Sequence, residues 1–390
     1  MSLIPSIILI AVTTAAACAV PGVFLVLRRM SMVAEGVSHA VFPGLVIALV
    51  ILGAFRSPLL VVGPAVLGLF LVFAVQAMNR TRLFAGDAPL GVVFPALFSI
   101  GVIIVSRRFS GVPLSENTVL AGDINYAALT QLHLGATAIG PRAFYVMLVI
   151  LVVNMAFTVL FFKELKLTTF DPDHASSVGF GSSRLYYLFM ATVSITIVGA
   201  FEAVGAVLVV GLLVAPAASA FLLSKRLESM LLLSVLFAVL SALIGFWIAY
   251  YLDAATSGTM AMMTGVIFLL TLAFAPRRGL LSKLRIRARR RITFAEQLLV
   301  MHLIHHVDGE RVTPACSRDG VRQHVRWEPK FAEKVIRQGL EHGYIMEADD
   351  GLIPTMSGRM LCSEALLYKD DVCECGIVRG GLEKHEYEQH

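Results

Sequence analysis

The chain has 390 residues, 57% of them hydrophobic and only 15% charged, with a mean hydropathy of +0.79. Soluble globular domains run at about 45–50% apolar and about 25% charged, so composition excludes a wholly soluble protein and, more firmly, a disordered one. The net charge of +5 points at first to nucleic acid. Most of the excess, however, sits in Arg277, Arg278, Lys283, Arg285, Arg287, Arg289, Arg290 and Arg291. These directly follow the last apolar run, where a basic stretch reads as a positive-inside anchor against anionic lipid.

That placement divides the chain. Residues 1–276 read as a transmembrane domain, 277–291 as a basic juxtamembrane linker, 292–370 as a small cytoplasmic domain and 371–390 as a flexible tail. The five cysteines give no framework. Cys18 lies in an apolar run, and Cys316, Cys362, Cys373 and Cys375 are scattered through the polar part, which favours a reducing compartment over a disulfide scaffold.

The first run, Ser2 to Leu27, lacks a basic n-region and is followed by further spans, so it reads as a retained helix and not a signal peptide. Further candidate spans cover roughly 33–54, 58–78, 88–106, 142–162, 186–201, 203–223, 229–251 and 257–276, judged against the ~20 apolar residues that cross a bilayer as a helix. The 186–201 segment is short. Gly199, Gly205 and Pro216 predict bent or interrupted helices around it, tolerated only where the freed backbone faces protein or a cavity. The segment from Ser106 to Pro141 is long and only mildly polar, and suggests an interfacial or re-entrant piece. An outside N-terminus places Arg28/Arg29, Arg80/Arg82, Lys163/Lys166/Arg184 and Lys225/Arg226 inside, and leaves Arg56, Arg107/Arg108 and Arg142 outside.

Few ionisable side chains fall within the spans. Glu35 and His39 stand at i and i+4, one above the other on a helix face. A carboxylate and an imidazole there can share a divalent cation, a donor set that suits Mn²⁺, Fe²⁺ or Zn²⁺ better than Cu⁺ or Ca²⁺. Intramembrane ionisable groups usually mark a pathway. Spacing alone leaves a second reading open, a Glu–His ion pair at the membrane interface. Glu202, between two apolar runs, and Asp123, in Leu120–Ile124, are secondary metal candidates; each reads first as a turn or loop residue. No Gly-x-x-x-x-Gly-Lys-Ser/Thr sequence occurs, so ATP used in transport must be bound by another subunit. There is no His-Glu-x-x-His or Gly-x-Ser-x-Gly motif either, which argues against a membrane hydrolase.

Several segments, in order, resemble the permease subunits of bacterial ABC importers for manganese, iron and zinc. Gly22–Ser31 leads into Glu35–Gly44, similar to the family's "LRR-S" and "D-(x)₃-H-A-(x)₂-P-G" stretches. Leu120–Ile124 resembles its "FGDI" segment, and Phe170–Ala175, running on to Gly179, its "FDPE-A" loop. Val209–Ala220 resembles its "LLVVALLI-PAATA" helix, and Ser257-Gly258 its "PSG". The likeness covers about residues 1–280.

The resemblance implies a multi-pass protein of the bacterial inner membrane with a cytoplasmic C-terminus. It implies a partner ATPase that hydrolyses ATP, an extracellular solute-binding protein that delivers the metal, and a second permease chain, identical or related. Apart from the transported divalent ion, no bound cofactor is expected. Glu35 and His39 align with the family's Asp/His pair, thought to bind metal in transit, with Glu in place of Asp. Lys163, Leu167, Phe170, Asp171, Pro172, Ala175 and Gly179 align with its ATPase-coupling loop, and Gly205, Gly211 and Pro216 with a broken helix lining the pathway. Arg285, Arg287, Arg289, Arg290 and Arg291 are the expected lipid contacts.

Beyond the linker, Thr293–Ile304 has helical periodicity with Thr293 as a candidate cap, and Phe331–His342 is amphipathic and ends at Gly343. Tyr344–Ala348 and Leu352–Thr355 flank an Asp-Gly turn and read as a hairpin. Thr355–Arg359 starts another helix. This order resembles a winged helix-turn-helix, like the N-terminal domain of metal-dependent repressors. The fold expected is thus an all-α polytopic membrane protein of about eight or nine transmembrane helices with a small α+β winged-helix-like cytoplasmic domain. Arg318, Arg322, Arg326, Lys330, Lys334 and Arg337 are placed to meet phosphates, but tethering near a membrane favours a regulatory or protein-contact module, and DNA is not the expected partner. Cys373 and Cys375, with His385 and His390, read as part of a disordered tail and not as a metal site. Two competing readings stay open: a membrane-tethered metal-responsive regulator, and an ion-coupled secondary metal transporter.

Overall fold

The computed structural model describes residues 3–53, 62–81, 88–108, 124–134, 137–178, 182–276, 279–308, 311–312, 314–348 and 351–362. The chain divides into two compact units, Met1–Leu281 and Ser282–His390. Among the described residues, nine helices are long and apolar enough to cross a membrane, which makes the first unit a polytopic helical bundle.

In chain order the first unit contains α1 (Leu3–Leu27), α2 (Ser31–Leu52), α3 (Val62–Arg80) and α4 (Ala88–Arg108). Then come α5 (Ile124–Leu129), an antiparallel pair β1 (Gln131–Leu134) and β2 (Thr137–Pro141), and α6 (Arg142–Leu160). Next are α7 (Phe162–Phe170), α8 (Pro172–Ser177), α9 (Ser182–Val204), α10 (Ala206–Leu223), α11 (Leu227–Leu252) and α12 (Thr256–Phe274).

The long helices are apolar on nearly every face, as expected where one side meets protein and the other meets lipid. Their packing is set by small residues. α1 lies at the centre, against α6, α9, α10 and α11, and its Ala15, Ala17, Cys18 and Ala19 are fully buried. At Gly22 the approach is closest, since a Cβ there would stand 2.0 Å from the Leu213 carbonyl oxygen of α10. α2 and α3 cross through a similar pair, Gly44 and Gly63. Polar side chains join helices where the apolar surfaces cannot discriminate. The Asn154 amide of α6 donates to the Ala17 carbonyl of α1 at 3.0 Å and to the Thr196 hydroxyl of α9 at 2.8 Å. Ser234 of α11 donates to the Ala19 carbonyl.

Two expectations for this region change. The segment read as a short span, 186–201, is the core of the 23-residue α9, because its flanking serines and Arg184 continue the helix. The interruption falls at Gly205 alone, whose φ of +85° and ψ of 164° belong to a region open essentially only to glycine. Gly211 and Pro216 lie inside α10, which runs through both without a break. Residues 106–141 supply α5, with Ile124, Ala127 and Ala128 buried, and the β1–β2 hairpin; 109–123, including Asp123, fall outside the described residues.

The second unit is built on α13 (Leu280–His306), followed by β3 (Val307–Asp308) and β4 (Arg311–Val312). A 3₁₀ turn (Pro314–Cys316) then leads to α14 (Arg318–Val325), α15 (Pro329–Glu341), β5 (Ile345–Ala348) and β6 (Gly351–Pro354), with a last helix, α16, over 356–362. Leu299, Leu303, Cys316, Val321, Val335, Ile345 and Leu352 form its core. The stretch expected to be a linker is helical from Leu280 onward and continuous with the predicted helix. Thr293 is therefore not a cap but an interior residue, donating to the Arg289 carbonyl. Arg, Lys, Leu and Ala are all good helix formers, and no breaker separates 280 from 306. The β5–β6 hairpin pairs as expected, Ile345 with Pro354 through Ala348 with Gly351. Thr355 caps α16, its hydroxyl accepting from the Gly358 amide.

Three imidazoles gather in this unit. The rings of His302 and His306 on α13 are 4.3 Å apart, and His324 of α14 lies 5.6 and 5.7 Å from them. Each ring has a nitrogen on a backbone carbonyl: His302 on Ala315, His306 on His302 and His324 on Gly320. Burial pulls the pKa of His302 below its usual value; the Ala315 carbonyl opposes this, and the two neighbouring imidazoles reinforce it.

Gly22→Ala should force α1 away from α10 and destabilise the bundle by about 1–3 kcal/mol, read as a lower melting temperature in detergent. For His302, the unfolded chain takes up the proton before the folded one, so its contribution to stability is lost as pH falls below about 6.5. Hydrogen-exchange protection in residues 295–345 of the full chain, taken relative to the intrinsic exchange rate at each pH, should fall between about pH 7 and about pH 5, and His302→Gln should flatten that dependence.

Candidate functional site

α2 carries Glu35 and His39 on one face. The remainder of this helix packs on α3, α4, α9 and α10, which bury Val33, Ala34, Val37, Ser38, Val41 and Phe42. What stays open is a stripe of Met32, Glu35 and His39: Met32 and Glu35 are exposed and His39 half-buried. The imidazole is set by its contact with the Phe94 ring of α4, centroids 4.9 Å apart. Neighbouring Ser38 turns inward and donates to the Ala34 carbonyl. Glu35 and His39 are not paired with each other: no ion pair within 4.0 Å joins them among the described residues. The ion-pair reading therefore has no geometric support, and both donor groups remain available. Nor do the described residues contain any group of three or more His, Cys, Asp or Glu side chains placed to hold a metal ion. The chain by itself offers two donors on an open face.

The expected coupling loop is two short helices. α7 ends where the Asp171 amide bonds to the Leu167 carbonyl. Asp171 then caps α8, its Oδ1 accepting from the His174 amide at 3.0 Å, and Pro172 opens that helix, where its missing N–H is no loss. The Phe-Asp-Pro sequence is thus a helix–helix corner. Lys163, Phe170 and Asp171 are exposed, Leu167 is half-buried, and Ala175 is fully buried. Gly179 lies outside the described residues.

In the sequence Arg28 stands as an inside charge and as part of the Gly22–Ser31 stretch that resembles the family. The structure gives it a second place. Its Nε donates to the Thr169 hydroxyl at 3.1 Å and its Nη2 to the Thr168 hydroxyl at 2.9 Å, both on α7. Its guanidinium also lies over the Phe189 ring of α9, 5.1 Å from the centroid. Paired threonines at the end of a polar helix were the only sequence signal for this contact.

Glu202 sits in the last turn of α9 and is exposed. With Tyr126, Thr130, Arg142 and Gly199 it lines a cavity of about 110 Å³ beside the Gly205 corner. Among the described residues Glu202 does not join the Glu35/His39 pair in a group placed to hold a metal ion, and Asp123 lies outside the described residues. Of the basic residues expected at lipid, Arg285, Arg287, Arg289, Arg290 and Arg291 are all exposed on α13, alongside exposed Leu280, Leu281 and Leu284. Cys373, Cys375, His385 and His390 lie outside the described residues.

The profile of the ABC 3 transport family matches residues 1–275. The zinc transport system membrane protein TroD of Treponema pallidum (strain Nichols) is 36% identical over 360 residues, 92% of this chain and 98% of that one. The manganese transport system membrane protein MntD of Bacillus subtilis (strain 168) is 38% identical over 277 residues, 71% of this chain and 94% of its own. The likeness to the Treponema protein thus extends past the family match into the second unit. Among solved structures, PsaBC from Streptococcus pneumoniae in complex with Fab is similar in fold, with a TM-score of 0.59, 24% identity and coverage of 71% of this chain and 94% of that one.

Proposed function

The chain belongs to the ABC 3 transport family, and from that we propose that it is the permease subunit of an importer carrying a divalent transition metal, Mn²⁺, Fe²⁺ or Zn²⁺, into the cytoplasm. Energy comes from ATP hydrolysed on a separate subunit, and an extracellular binding protein presents the ion. The observation that carries this reading is the Glu35/His39 pair on the open stripe of α2. Ionisable groups directed at lipid are unfavourable by several kcal/mol, so a stripe that its own chain leaves open calls for a second permease chain. Pairing two such stripes would bring together four donors, a coordination number these metals accept. Two of the four come from each chain, which lets the ion leave as the chains part.

In this reading α7 and α8, with Lys163, Leu167, Phe170, Asp171, Pro172, Ala175 and Gly179, form the element that meets the ATPase. The Gly205 corner gives α9 and α10 a hinge beside the pathway, while Gly211 and Pro216 lie along α10. The basic N-terminal half of α13 lies at the cytoplasmic leaflet, its leucines toward acyl chains and its arginines toward headgroups. Within the second unit the order α13, α14, α15 and the β5–β6 hairpin resembles that of a winged helix. Its attachment to α13 favours a regulatory contact on the cytoplasmic side over DNA binding.

The test is ATP-dependent uptake of Mn²⁺, Fe²⁺ and Zn²⁺ into vesicles holding this chain with its ATPase and binding protein. Altering groups that merely support metal ligands costs 10–100-fold in affinity or activity, so Glu35→Ala and His39→Ala should each lower uptake at least about tenfold while assembly stays intact. Glu35→Asp should keep transport and change the order of preference among the three ions. Wild-type rates in both alanine variants would remove the pair from the pathway.

A further inference from the structure

We propose that Arg28 is the positioning residue through which movement of the ATPase-coupling element reaches the metal-bearing helix. The proposal rests on the reading of α7 and α8 as that element. Its own support is a chain of contacts. Nε and Nη2 of Arg28 donate to the hydroxyls of Thr169 and Thr168, adjacent residues at the C-terminal end of α7. The Thr168 hydroxyl in turn donates to the Glu164 carbonyl of its own helix at 2.8 Å, which fixes its oxygen to receive the guanidinium. On its other side the guanidinium rests on the Phe189 ring. It is thus clamped between α7 and α9.

The link onward to α2 is short and stiff. Arg28 and Arg29 form a tight turn, with Arg29 in the left-handed region at φ +57°. The amides of Arg28, Arg29 and Met30 bond back to the carbonyls of Phe24, Val26 and Leu25, and α2 begins at Ser31. Glu35 and His39 lie on its first turns. α1 itself is held at the centre of the bundle by Gly22 and by Asn154, so a push on Arg28 is resisted below and passes to the start of α2.

The chemistry of the partners suits a contact that must break and re-form. Among the described residues, no carboxylate lies within 4.0 Å of the guanidinium. A buried carboxylate would lock the charge, because separating such a pair is strongly unfavourable. Two hydroxyls satisfy the planar fork with direction and leave it free to exchange. Lysine keeps the charge but cannot span both oxygens with one rigid group.

The experiment uses the full complex in vesicles and reads metal moved per ATP hydrolysed, with complex assembly followed alongside. Arg28→Lys, and separately the double variant Thr168→Val/Thr169→Val, should each lower that ratio by about fivefold or more. Thr168→Ser/Thr169→Ser, which restores the acceptors, should return it to the wild-type value. Combining Arg28→Lys with the two valines should lower it no further than either alone, because both remove one shared contact. A ratio within about twofold of wild type in Arg28→Lys, or losses that add in the combination, overturns the proposal. If Arg28→Lys fails to assemble, the threonine variants decide, since they leave the arginine in place. Wild-type complex that moves no metal with ATP would instead overturn the importer reading on which the proposal rests.

Discussion

The close approach of α1 to its neighbours is the constraint on which the membrane unit depends. In hydrocarbon there is no hydrophobic drive between helices, so association comes from van der Waals fit and interhelical hydrogen bonds. The run of alanines around Cys18 and the glycine at 22 make one helix slim enough to stand among α6, α9, α10 and α11 at once. The Asn154 amide then fixes register by reaching both Ala17 and Thr196. A bulkier first helix would separate the elements that hold α2, and with them the placement of Glu35 and His39.

The polar groups of the bundle fall into two kinds because of this packing. Asn154, Ser234 and Ser38 are turned into protein and satisfied there, and they serve the fold. Glu35 and His39 are left on the stripe of α2 that its own chain does not cover. The sequence marks both kinds as polar breaks in apolar runs and gives no means of telling them apart; only the list of neighbours does. The same distinction holds for Arg28 and Arg29, adjacent in sequence. Arg29 is exposed at the turn, whereas Arg28 is drawn between α7 and α9.

The second unit shows the balance differently. Its helices and hairpin follow from local signals: the Ser317 hydroxyl accepting from the Gly320 amide to cap α14, proline at the start of α15, and glycine at φ +70° after it. The likeness to the Treponema protein over 92% of the chain means that this unit is shared with a relative and is not an isolated appendage. The gathering of His302, His306 and His324 combines one i, i+4 pair with a residue from another helix. Such a cluster is half local and half tertiary in origin.

Runs of about 20 apolar residues determine a spanning helix by themselves, because an unsatisfied backbone is intolerable in lipid and the helix is the local solution. The sequence therefore determined a count of about eight or nine spans and their approximate limits, the i, i+4 placement of Glu35 with His39 and the Asp-Gly hairpin. It also determined the family, through ordered motifs. Only the tertiary structure decided that the helix breaks at Gly205 and not at Pro216, because a proline's lost hydrogen bond can be absorbed within a packed helix, whereas a φ of +85° is a backbone state that follows from how two helices must meet. Packing likewise decided that the Phe170–Pro172 segment is a capped helical corner, that the basic stretch continues into α13, and that the Arg28 guanidinium meets Thr168 and Thr169, some 140 residues away. Contacts of that separation arise from the fit of one helix surface to another, which no local pattern encodes.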